Sequence, residues 1–390
     1  MNKERVEKYI NIWLKNINQE DLRELEKDIE MPLISFMTEI LENLYAKYSD
    51  TISYISVNLD SYSDYIIAPK NGNYSLEDFL LNRLLRNVTT VIYRDESTSY
   101  RPESHYAHEW GEVLIDKDRI QTKITDVRHK RKVVAHEFLH GMKTQFYDGD
   151  FFNADRYYQM KEELKSIFGS EINDFSRKNN QVNYVYKHCG ISYSSIFIRR
   201  NLSKYSNLDV EVFDEILNEN DAIGVTNDDY KGVSLLAENC YMILNNPESS
   251  NAYITNYSFI IERLIDKETL FVGLYIEPEI FYKAFNSLYT SIFQEHFNND
   301  LSALEIFISQ LNKIKGNYGD TDEHIKLLNA LYSCIDRRYM MSGYNDQIRQ
   351  KNINCIGNKG LLEVVDGRLQ PLSSLAYCDE YNTNRGKLKQ

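Results

Sequence analysis

The sequence predicts an α+β chain that is mostly helical, with a small mixed sheet between helical N- and C-terminal regions, and three observations carry this. Six prolines and 16 glycines in 390 residues leave too few breaks for the many turns of an all-β fold. Apolar residues recur every three or four positions near the start and again from about residue 125 almost to the end, the period of amphipathic helices. Between these stretches lie short β-branched runs bounded by polar or glycine punctuation, which read as strands.

Taken in order, Val6, Ile10, Trp13, Leu14 and Ile17, then Leu33, Phe36, Ile40 and Leu44, outline two or three helices interrupted by the acidic segment 20–30 and Pro32. Thr51–Val57, Val88–Tyr93 and Gly111–Asp116 are the expected strands, with a helix over 75–86 that Ser75 can cap. Helical spacing then covers 125–146, 154–168, 209–222, 231–245, 252–269, 278–297, 301–315 and 321–341. Leu361–Val365 and Arg368–Leu372 flank Asp366-Gly367, a strong hairpin signal. The chain divides on this reading into a helical region 1–50, a core 51–250 containing the sheet, and a helical region 251–390 that ends in the hairpin.

Charge and cysteine usage narrow the function. Forty-five basic against 58 acidic residues give a formal charge of −13, which repels phosphate backbones and anionic lipid, so neither nucleic acid nor membrane is an expected partner. No run approaches the roughly 20 apolar residues of a membrane-spanning helix. The charged start Met1–Lys8 lacks the apolar block of a secretory signal, so a cytoplasmic location is expected. Five scattered cysteines (Cys189, Cys240, Cys334, Cys355, Cys378) form no CxxC pair and suggest neither a disulfide framework nor a cysteine zinc knuckle. Oligomeric state is not legible.

The residues that carry chemistry are Val133-Val134-Ala135-His136-Glu137-Phe138-Leu139-His140-Gly141. Helical positions four apart share a face with Cβ atoms about 5–6 Å apart, so His136 and His140 can converge on one divalent cation of the zinc type. Glu137 then sits beside the ion, where it can take a proton from water and pass it to a leaving amine. Such a run arises by chance in a chain of this composition roughly one time in a hundred. Val133, Val134, Phe138 and Leu139 give the helix a buried side, and Arg128–Lys132 read as its solvated approach.

His136-Glu137-x-x-His140 resembles the active-site helix of the zincin metallopeptidases. Metzincins carry a further glycine and histidine where Lys143 and Phe146 stand here, so the resemblance is to the gluzincins, whose third ligand is a glutamate on a later helix. Phe213-Asp214-Glu215-Ile216-Leu217-Asn218-Glu219 matches that context. It is also similar to the N-E-G-x-T-E helix of uncharacterised bacterial zincin-like proteins, with Ile216 and Asn218 in place of the glycine and threonine. Glu215 and Glu219 lie four apart, so one can bind metal while the other accepts a hydrogen bond from a ligating histidine. The resemblance implies Glu215 as ligand and Glu219 as its helper, with the reverse assignment open and Glu238 a third candidate. An aspartate ligand near Gly224–Asp228 is disfavoured by the order of the surrounding residues.

What the resemblance implies as a whole is a zincin-like catalytic core over 51–250, one zinc ion, and hydrolysis of a peptide or protein substrate with Glu137 as general base. Tyr230, which follows the third-ligand helix, is the candidate to stabilise the oxyanion. Gly111–Asp116 would line the cleft as a strand whose exposed edge pairs with substrate. Alternatives are a catalytically silent binding protein on a zincin scaffold and an effector- or toxin-type protease with one protein substrate. His105, His108 and Glu109 read as surface groups in a loop, and His188, Cys189, His296 and His324 as core or surface residues without ligand spacing.

Overall fold

A computed structural model describes residues 3–14, 17–58, 88, 90–95, 104–107, 112–146, 186–193, 210–226, 257–258, 260–261, 263–317, 320–341, 362–365 and 368–371. Helix dominates these residues. The chain groups into two compact units, one of residues 1–206, 221–228 and 270–279 and one of residues 207–220, 229–269 and 280–390. No described helix is long and apolar enough to cross a membrane. The expected helices over 75–86, 154–168 and 231–245 lie outside the described residues.

The first unit opens with α1 (Lys3–Leu14), α2 (Gln19–Asp28) and α3 (Leu33–Val57). Helix α2 starts where Asn18 accepts from the backbone N–H groups of Glu20 and Asp21 at 2.8 and 3.4 Å, satisfying donors that a helix N-terminus leaves open. Its other end is closed from a distance, because the Arg131 guanidinium donates to the carbonyls of Ile29 and Glu30 at 2.9 and 3.1 Å. Helix α3 corrects the expected strand at Thr51–Val57. Thr51, Ile52 and Ile55 are buried at helical spacing while Tyr54 and Val57 are exposed. The β-branched run is carried on by the helix that precedes it, and propensity yields to burial. The chain bends once, at Tyr48 (φ −113°, ψ 16°).

Strands β1 (Thr90–Arg94), β2 (His105–Ala107) and β3 (Glu112–Asp116) form one sheet in the order β1-β3-β2, with β1 parallel and β2 antiparallel to β3. Two expectations are thereby overturned. His105 stands in a strand rather than a loop. Strand β3 is central, with both backbone edges paired, so it cannot offer an edge to a substrate. A buried run Val113–Asp116 suits that central place.

After a π-helical turn, Arg119–Lys123, comes α4 (Val127–Lys143), started by Asp126, whose carboxylate accepts from Arg128 N–H at 2.9 Å. Helix α4 packs on β2 and β3, and Gly141 lies in close approach to Val88 and Tyr106. A Cβ there would lie 2.5 Å from Val88 Cγ2 and 3.4 Å from Tyr106 Cε2, so no larger residue fits without a shift. Within the expected solvated approach Lys132 is in fact buried.

The helix expected to reach residue 146 ends at Lys143, and β4 (Thr144–Phe146) leads directly into a second sheet. Strand β4 pairs antiparallel with β5 (Tyr186–Cys189), and β5 with β6 (Ser192–Tyr193). A second π-helical turn, Val272–Ile276, is buried throughout and packs against α4 and β4.

In the second unit the expected helix over 252–269 is broken. Arg263 and Leu264 donate to the carbonyls of Ile260 and Ile261 three residues back, and a short helix, α6 (Lys267–Phe271), begins only beyond them and continues into the first unit. Helices α7 (Pro278–Phe297), α8 (Ala303–Gly316) and α9 (Thr321–Met341) follow the expected periods closely. Ser302 and Glu305 cap α8 reciprocally. The core is aromatic, with Phe213, Phe285 and Phe293 each against Phe307 at ring separations of 4.8, 5.8 and 5.7 Å. Near the C-terminus β7 (Leu362–Val365) and β8 (Arg368–Pro371) pair antiparallel, as the hairpin signal predicts.

Candidate metal centre

Helix α4 brings its two histidines together through their spacing of four residues. His136 Nε2 and His140 Nε2 face one another at 3.1 Å, with ring centroids 4.9 Å apart and planes inclined at 73°. Two imidazole nitrogens at about 2.0–2.1 Å from a tetrahedral ion stand about 3.3 Å apart, so the pair fits a zinc-type cation bound through both Nε2 atoms. His136 is half-buried, while Glu137 and His140 are buried on a helix whose Val134, Phe138 and Leu139 are wholly inside. A carboxylate held out of water beside such a pair has the setting of a proton acceptor.

The second sheet holds His140 from behind. The Thr144 hydroxyl donates to the His140 carbonyl at 2.8 Å. Cys189, paired in register with Thr144, places its Sγ 3.6 Å from the same carbonyl and 3.9 Å from His140 Nδ1. Sequence reasoning set Cys189 aside for want of ligand spacing, because its neighbour is 49 residues away and reaches it through strand pairing. His188 beside it is core, with Nε2 3.1 Å from the Ile276 carbonyl. His324 is buried, with Nδ1 3.2 Å from the Tyr257 hydroxyl, and the exposed His296 lies 2.8 Å from Ser333 Oγ.

Glu215 and Glu219 fall on α5 (Glu211–Val225), a single helix. Phe213, Ile216 and Leu217 anchor its apolar side; Glu215 is half-buried, and Asn218 and Glu219 are buried. The last turn of α5, from Asp221, belongs to the same unit as α4. There Lys143, the final residue of α4, is fully buried and ion-pairs with Asp221 at 2.9 Å. Neither partner was singled out from the sequence, where a lysine closing one helix and an aspartate on another carry no local signal. Tyr230 and Glu238, as well as His108 and Glu109, lie outside the described residues.

Compared with protein-family models, curated proteins and solved structures, the chain matches none.

Proposed function

We propose that the chain is a zinc-dependent peptidase of the gluzincin type, with His136, His140 and Glu215 holding one zinc ion and Glu137 serving as general base. The observation that carries it is the 3.1 Å approach of the two Nε2 atoms on one helix, with buried Glu137 between them in sequence. Glu215 is the choice for third ligand because it stands in the Phe213–Glu219 context that the resemblance to the gluzincins implies, on the single helix α5. When bound, zinc supplies Lewis acidity towards a carbonyl and a water molecule.

The remaining work belongs to the chain. His136 and His140 present their Nε2 atoms towards one point, and the Thr144 hydroxyl holds the backbone carbonyl of His140. Glu137 takes a proton from the attacking water and delivers it to the leaving amine as the peptide bond breaks. Glu219, buried on the helix that carries Glu215, accepts from a ligand imidazole. Tyr230 remains the proposed oxyanion partner.

The reading is tested by metal analysis and a fluorogenic peptide library. Purified protein should carry about one zinc per chain and hydrolyse peptides. His136→Ala should lose both, and Glu137→Gln should keep the metal and lose turnover. Zinc-free wild type, or full hydrolysis by Glu137→Gln, would remove it.

A further inference from the structure

Resting on the metallopeptidase reading, we propose that the buried Lys143–Asp221 pair is a positioning device that sets the register of the proposed third-ligand helix α5 against the histidine helix α4. Four donors converge on the Asp221 carboxylate. Lys143 Nζ and the Tyr275 hydroxyl reach Oδ2, each at 2.9 Å, while Lys47 Nζ and the Tyr48 hydroxyl reach Oδ1 at 2.9 and 2.6 Å. Both side chains of the Lys143–Asp221 pair are fully buried. Burial alone would push the Asp221 carboxyl up, but the ammonium groups of Lys143 and Lys47 and the Tyr48 hydroxyl outweigh it and hold the group well below the usual carboxylate range.

The pair has leverage because of where it sits. Lys143 ends α4 less than one turn after His140, and Asp221 follows Glu215 by six residues on a continuous helix, about 9 Å along its axis. The end of α5 is also fastened to α3, where Asn43 Nδ2 donates to the Val225 carbonyl at 2.6 Å and Gly224 leaves room for the Lys47 stem. An apolar pair would fill the same space with equal or greater stability, since buried ions carry a large desolvation cost. What the ion pair adds is intolerance of sliding, because a shift of either helix leaves a buried charge uncompensated.

The test measures zinc affinity of the full chain by competition with a chromogenic chelator, with circular dichroism as the fold control. The double variant Lys143→Met/Asp221→Asn removes both charges of the pair. It should stay folded yet bind zinc about 10- to 100-fold more weakly. Lys143→Arg, which retains the pair, should restore affinity close to wild type, and Asn43→Ala, which cuts a tie between α3 and α5 without touching the Asp221 carboxylate, should leave it unchanged. A folded double variant with wild-type affinity overturns the proposal, as does Asn43→Ala weakening zinc to the same degree. Should the double variant not fold, Tyr275→Phe, which removes one donor to the same carboxylate, decides. Weaker zinc at unchanged thermal stability supports the role, and lower stability at unchanged affinity overturns it. Wild type that binds no zinc removes the metallopeptidase reading itself, whereas zinc bound equally by wild type and double variant removes only the positioning role.

Discussion

At His136, Glu137 and His140 the proposed chemistry rests on helical spacing, and the structure gives that spacing a distance, 3.1 Å between the Nε2 atoms. Glu137→Gln keeps shape and a hydrogen-bonding group but cannot take a proton, so kcat should fall by about 10²–10⁴ while KM and zinc content stay near wild type. A variant that lost zinc as well would make Glu137 a structural partner of the site. Gly141 makes a sterically sharper prediction. A Cβ at this position would meet Val88 Cγ2 at 2.5 Å, and Gly141→Ala should therefore cost about 1–3 kcal/mol by overpacking, read as a lower midpoint in urea. Unchanged stability would mean that α4 has slack against the sheet. Both histidines and Glu137 were readable in the sequence because a spacing of four residues is a local property. Cys189 was not, since only the pairing of β4 with β5 brings it to His140.

Among the elements, α4 and α5 show how a helix can be legible while its fastening is not. Each was expected from its period, within a few residues of its observed ends. Their ends are tied by Lys143 and Asp221, whose side chains are 0% exposed, and removing one member of such a pair leaves the other as an uncompensated buried charge. Asp221→Asn should accordingly destabilise the fold by about 3–5 kcal/mol at neutral pH. The pH dependence follows from the depressed carboxyl. The folded state holds the proton less tightly than the unfolded chain, so the Asp221 contribution is complete above the ordinary carboxylate pKa of about 3.9 and is lost as pH falls below it. The difference in stability between wild type and Asp221→Asn should narrow as pH drops from 6 towards 2. A gap that held constant would assign the acid sensitivity to other groups. Thr51–Val57 shows the reverse case, where a β-branched run read as a strand is overridden by burial along α3.

On the scale of the whole molecule, the proposed ligands are drawn from residues 136, 140 and 215, so the unfolded chain does not present them together. Zinc should therefore stabilise the folded state, by about 2.7 kcal/mol at a hundred times Kd, seen as a rise in Tm that a chelator reverses. A Tm indifferent to zinc and chelator would separate the metal from the fold. The net charge of −13 predicts weak affinity for polyanions but says nothing about architecture. The helical character, the periods of α7, α8 and α9 and the β7–β8 hairpin all follow from spacings within one segment, and an amphipathic period needs no partner to be visible. So does the histidine pair. The central place of β3, the tie between Lys143 and Asp221, and the nearness of Cys189 to His140 depend instead on residues tens of positions apart. Strand order and buried pairing are chosen by which surfaces meet and which charges must be matched once water is gone, and no local pattern of residues records that choice.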